Sequence, residues 1–241
     1  VDPLSLSVVG GAAFLASLFG SMTGSGATAI LLPALALYFG VRDSVPILTI
    51  ANLASNLSRI WFNRREISAS VVGWFALGAI PSAVGGALLF VHASTPILTR
   101  MLGVFLLATV AWRRLRPKPP RIESAAWFAP LGAGFGLLSG LLEGIGPLMA
   151  PFFLSYGLSR GAYIGTDALA TVLMQVSKLA VFGSMKVLDR RILISGLAVA
   201  PLMFLGAFAA KKVVNRLSER QFAALIDLTL CAAGANFLLR Q

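Results

Sequence analysis

Residues 68–90 read SASVVGWFALGAIPSAVGGALLF, a run without one charged side chain. At about 1.5 Å per residue, a helix over this run covers roughly 30 Å, the hydrocarbon thickness of a bilayer. Further apolar segments lie on either side, at about 4–22, 27–39, 44–62 and 97–112. The second half gives five more, at about 125–142, 146–156, 162–182, 191–210 and 219–239. One such run at the N-terminus can be a signal peptide, but a series of them cannot. Val1-Asp2-Pro3 provides no basic n-region, so the first run reads as a span.

Composition agrees with this reading. Hydrophobic residues make up 57% and charged residues only 12%, and mean hydropathy is +0.85, whereas a soluble domain carries about 25% charged residues. The expected class is an all-α, polytopic membrane bundle. The net charge of +11 does not point to nucleic acid, because most Lys and Arg stand between the apolar runs, the pattern of membrane topology. The densest group, Arg113-Arg114-Leu115-Arg116-Pro117-Lys118-Pro119-Pro120-Arg121, is expected in the cytoplasm. Cys231 is the only cysteine and His92, placed in a loop, the only histidine. No disulfide, metal centre or cofactor is expected from so few ligands.

The two halves resemble each other. At an offset of 120, Gly24-Ser25-Gly26 falls on Gly144-Ile145-Gly146, Pro81 on Pro201 and Gly86 on Gly206; at 119, Asn56 falls on Gln175 and Arg59 on Lys178. A shared offset across motif, kink and charge indicates duplication. The expected organisation is a first repeat over 1–112, a basic Pro-rich linker over 113–124 and a second repeat over 125–241. Each repeat has about four full-length helices and one short or broken one. Five crossings per repeat make the repeats inverted; hairpin entry of the short segments makes them parallel. Charge counting hardly separates the two, and inversion is the expectation.

Asn52, Asn56, Arg59 and Asn63 recur at helical spacing on one face, as do Asp167, Thr171, Gln175 and Lys178 in the second half. Polar stripes of this kind line an interior route while the other faces meet lipid or neighbouring helices. Arg59 and Lys178 are expected to supply a paired positive site for an anion, or else to snorkel to the interface. Gly24, Ser25, Gly26 and Thr28, with Gly144 and Gly146, are expected either to offer backbone and hydroxyl donors at the start of a helix or to permit close helix packing. Glu143 and Asp167 either carry a coupling proton or pair with Lys178 or Arg59. Asp167 is too far along its own helix to reach Lys178 directly. Asp227, without a counterpart in the first half, reads as a packing acid. Trp61, Trp74, Trp112 and Trp127 read as interfacial anchors.

An early Gly-rich break followed by an apolar Pro-containing stretch, Gly24-Ser25-Gly26 through Pro33, repeated as Gly144-Ile145-Gly146 through Pro151, resembles the sulfite exporter TauE/SafE family, also called toluene sulfonate uptake permeases. The likeness covers nearly the whole chain, with Thr49 and Thr166 near where the family tends to place a threonine. Ser25 interrupts a glycine run that is often fuller in the family, and Pro147 follows the second break directly. The resemblance implies a secondary carrier of a small sulfur-containing anion, such as sulfite, a sulfonate or sulfoacetate, in the bacterial inner membrane. An enzyme is not expected: His92 and Cys231 occur once each, and no phosphate-cradling Gly-Lys-Ser/Thr motif is present. A passive anion channel is the alternative reading and a membrane-embedded enzyme a more remote one. Self-association into a homo-oligomer is left open.

Overall fold

The computed structural model describes residues 10–11, 13–14, 17–18, 26–115, 121–213 and 219–239. Among these the chain is helical, with no strand. A helix satisfies its own backbone groups, the condition for crossing hydrocarbon. The helices are α1 (Gly26–Asn63), α2 (Ala69–His92), α3 (Thr95–Leu115), α4 (Phe128–Leu141, after a 3-10 turn at Ala125–Trp127), α5 (Gly146–Ser155), α6 (Arg160–Ser184), α7 (Arg190–Val213) and α8 (Glu219–Leu239). The described residues between 10 and 18 are also helical. Among the described residues, three stretches are long and apolar enough to cross a membrane: Ala69–His92, Thr95–Trp112 and Gly161–Ser184.

The boundaries have local causes. Ser159 caps α6 by accepting from Ala162 N at 3.3 Å, and Asp189 Oδ1 accepts from Ile192 N at 2.7 Å at the start of α7. Such caps satisfy donors that a helix start leaves open. Arg42 closes the other end of α2, donating to Val91 O at 2.7 Å and Ala93 O at 3.0 Å. α1 is broken at Gly40 (φ 77°, ψ 163°), and Gly157 (φ 95°) turns the chain between α5 and α6. Both positions need a backbone conformation that a side chain disfavours. Each glycine joins a short helical stretch to one of the two polar helices.

Two sequence expectations are corrected here. His92 is the last residue of α2, its Nδ1 2.8 Å from Leu88 O, because the helix continues beyond Phe90 to the cap made by Arg42. Arg113-Arg114-Leu115, read as linker, form the end of α3. Arg114 Nε pairs there with Asp227 Oδ2 of α8 at 2.8 Å. Residues 116–120 of the linker lie outside the described residues.

Packing between the halves follows a regular scheme. The most extensive interface joins α2 to α4, where Gly132, Gly136 and Gly140 present a flat helix face. A Cβ at Gly132 would stand 2.2 Å from Phe75 O, and one at Gly140 2.5 Å from Ala83 O. Small residues at four-residue spacing let helices approach backbone to backbone. A second close approach joins the described N-terminal residues to α7. The matched glycines pack alike: a Cβ at Gly86 would stand 2.4 Å from Leu137 O, and one at Gly206 2.4 Å from Phe14 O.

Four further sets of contacts extend the scheme. α2 runs alongside α6 in the same direction, with Ser68 beside Thr166 and Phe90 beside Phe182. α1 and α7 do likewise, with Ile50 against Gly196 and Phe62 near Phe208. The matched helices α1 and α6 cross antiparallel, Asn56 meeting Gln175 and Asn63 meeting Gly165. α3 and α8 are antiparallel too, with Gly103 against Leu238 and Arg114 against Asp227.

The outer surface is apolar, with Leu77, Val104, Leu197 and Leu228 all more than half exposed, as lipid-facing side chains are in a bilayer protein. Trp61, Trp74 and Trp127 are exposed as well, in keeping with anchors at the interface.

Candidate functional site

The seam between α1 and α6 gathers most of the polar residues singled out in the sequence. Lys178 is fully buried and its ammonium donates to Glu143 Oε1 and, at 2.8 Å, to Ser139 O. Glu143 stands in the break between α4 and α5, beside Gly144 (φ 93°). Its Oε1 lies 2.8 Å from Thr49 Oγ1, and its Oε2 accepts from Asn52 Nδ2 at 3.3 Å. The break therefore reaches the seam through its acid.

About three turns away along α6, a second pair forms. Arg59 NH2 donates to Asp167 Oδ2 at 2.8 Å, and NH1 to Asn56 Oδ1 at 3.0 Å. Asn56 Nδ2 in turn donates to Gln175 Oε1 at 3.3 Å. Asp167 and Gln175 are each 1% exposed. Both cations thus point inward and neither snorkels to an interface. Thr171 is partly buried on the same helix.

Burying an ion pair is costly in desolvation, and the mutual attraction offsets that cost only when geometry and additional hydrogen bonds are good. Two such pairs, each with further hydrogen-bonding groups beside it, form a neutral but strongly polar interior.

The two glycine breaks are described to different extents. Gly24 and Ser25 lie outside the described residues, as does the side chain of Thr28. Gly26 is the first residue of α1 and Gly146 the first of α5. At α5, Leu148 N and Met149 N both donate to Ile145 O, at 2.9 and 3.2 Å, and Pro147 has no N–H to give. Few of the donors at this helix start remain for a solute.

A family model described as sulfite exporter TauE/SafE matches residues 9–237. The chain belongs to the sulfite exporter TauE/SafE family. TauE/SafE proteins are membrane transporters of sulfite or related anions. Comparison with curated proteins and with solved structures returned no match. Membership in the TauE/SafE family covers the whole α1–α6 seam and both of its ion pairs.

Two contributors to the site, Ser139 and Tyr163, escape the sequence reading, and a third, Thr49, is singled out there only through the family resemblance. Ser139 acts through a backbone carbonyl, which no side-chain pattern reveals. Thr49 lies on α1 one turn before the polar stripe and meets Glu143 of the other half. Tyr163, four residues before Asp167 on α6, is buried with its hydroxyl unbonded among the described residues; its spacing was the available signal.

Proposed function

We propose that this chain is a secondary carrier of a small sulfur-containing oxyanion, such as sulfite, a sulfonate or sulfoacetate, in the bacterial inner membrane. The observation that carries the reading is the pair of buried cations, Arg59 and Lys178, on two matched polar helices, each held by a carboxylate of the other half or of a helix break. An anion binds where a cation is released from its acid. Asn52, Asn56, Thr171 and Gln175 provide the neighbouring hydrogen-bonding groups, while Glu143 and Asp167 are the coupling candidates. No cofactor is required for this chemistry.

Inverted repeats are part of the same proposal. The antiparallel crossings of α1 with α6 and of α3 with α8 support it, since equivalent helices of inverted repeats run in opposite directions. So does the exchange of partners between halves, α2 with α4 against the N-terminal segment with α7. Repeats of this design place the solute site at their interface, where one half rocks against the other. That arrangement favours a carrier over a passive pore.

Binding of sulfite, sulfate, thiosulfate, methanesulfonate and acetate to the purified protein tests the substrate class. Saturable binding of sulfite or the sulfonate, well above acetate, is expected. Equal, weak binding of all five would contradict the proposal.

A further inference from the structure

The two ion pairs differ in how completely their acids are satisfied. Glu143 is engaged at both oxygens, by Lys178 and Thr49 at Oε1 and by Asn52 at Oε2. Asp167 is engaged at one: Oδ2 receives Arg59, while Oδ1 is buried and has no hydrogen-bond partner among the described residues. Tyr163 Oη, one turn earlier on α6, and Gln175 Nε2, two turns later, are likewise buried and unbonded among those residues. A buried polar atom left without a partner is destabilising, and three of them on one helix point to a place open to further hydrogen bonds. The Glu143 pair offers no such opening.

Few charges surround Asp167. Arg59 faces it from α1 and Tyr163 from its own helix. α4 and α5 contain no titratable side chain, and α2 has only His92, at the end opposite to Thr166. Glu66, in the loop before α2, meets the start of α6 at Gly161 and Ser159. The charge state of Asp167 therefore acts chiefly on Arg59.

Resting on the carrier reading above, we infer that Asp167 is the exchanging acid: Arg59 holds Asp167 when the site is empty and holds the transported anion once Asp167 has taken up a proton. The Lys178–Glu143 pair stays closed and serves as a fixed structural element. In the step itself, a proton from the aqueous phase adds to the Asp167 carboxylate, the bond to Arg59 is given up, and a monoanion takes its place. On the other side the anion leaves, the proton returns to water and Asp167 closes on Arg59 again. The site is neutral before and after, so a monoanion and one proton cross together without net charge. Tyr163 and Gln175, whose Oη and Nε2 have no partner among the described residues, supply hydrogen bonds to the incoming pair.

The test uses the full chain in liposomes with labelled sulfite, protein-free liposomes being subtracted. An inward pH gradient, acid outside, should drive accumulation under a clamped potential, and a potassium-diffusion potential at equal pH should not. Asp167→Asn, a permanently uncharged stand-in, should bind methanesulfonate, a monoanion at every pH used, about tenfold more tightly at mildly alkaline pH, since the competing carboxylate is gone. Its exchange rate should no longer follow pH. Accumulation driven by potential alone would overturn the inference even if the variant failed to fold, and so would weaker binding by a folded variant. Neither result would remove the carrier reading, which falls only if wild-type protein moves no sulfite at all.

Discussion

Arg59 of α1 and Asp167 of α6 are 108 positions apart and meet at 2.8 Å. With Asn56 and Gln175 they tie the two halves of the chain across one seam. The cation is held by a carboxylate, with which an anion at the proposed site would compete.

Replacing Arg59 with Gln retains hydrogen-bonding capacity and removes the charge. A hydrogen bond to a charged group contributes roughly 1.5–3 kcal/mol, so sulfite affinity should fall about tenfold to a hundredfold. Titration calorimetry on purified protein measures it. Unchanged affinity would remove Arg59 from the site.

Glu143→Gln leaves the Lys178 ammonium buried without its counter-ion. Breaking a buried pair from one side is destabilising by about 3–5 kcal/mol, whereas replacing both members by apolar residues is often neutral. Thermal unfolding in detergent should show a large loss for Glu143→Gln and for Lys178→Met. The double variant Glu143→Leu/Lys178→Met should recover most of it. Additive losses would show that the two side chains act independently.

Much of this was legible from the sequence. Apolar length located the helices to within a few residues, because hydrocarbon thickness imposes one scale on all of them. The stripes Asn52-Asn56-Arg59 and Asp167-Thr171-Gln175-Lys178 were legible through helical spacing, and they do face one another. Glu143 and Asp167 stand out in the sequence as candidate partners of Lys178 or Arg59, but which acid meets which cation is not legible there. Glu143 lies in a helix break, and Asp167 meets Arg59 through an antiparallel crossing that a linear offset does not encode. Gly40 and Gly157, each a positive-φ glycine before a polar helix, are 117 apart, so an alignment fixed at 120 does not pair them. The C-terminal position of His92 depended on Arg42, a cap from another helix.

At the α2–α4 interface, adding one carbon should separate two kinds of glycine. A Cβ at Gly136 would lie 2.2 Å from Ser82 Oγ and 2.4 Å from Ala79 O, whereas at Gly134 nothing lies within 4 Å. Overpacking is destabilising by about 1–3 kcal/mol or more, so Gly136→Ala should lower thermal stability clearly. Gly134→Ala should leave it unchanged or slightly raised. Equal behaviour of the two variants would contradict the close approach of these helices.

Topology follows from the basic linker. In a Cys231→Ser background, Glu123→Cys should be protected from an impermeant thiol reagent added to intact cells, and Lys186→Cys, between α6 and α7, should react. The inverted arrangement requires these opposite outcomes. Labelling of Glu123→Cys from outside would reverse the orientation.

Counterflow in proteoliposomes tests the central claim, that this TauE/SafE protein is a carrier with an anion site at the α1–α6 seam. Vesicles preloaded with unlabelled sulfite should take up labelled sulfite faster than empty ones, with a rate that saturates and that falls with Arg59→Gln. Uptake that rises linearly with concentration, is indifferent to internal sulfite and survives Arg59→Gln would contradict the account.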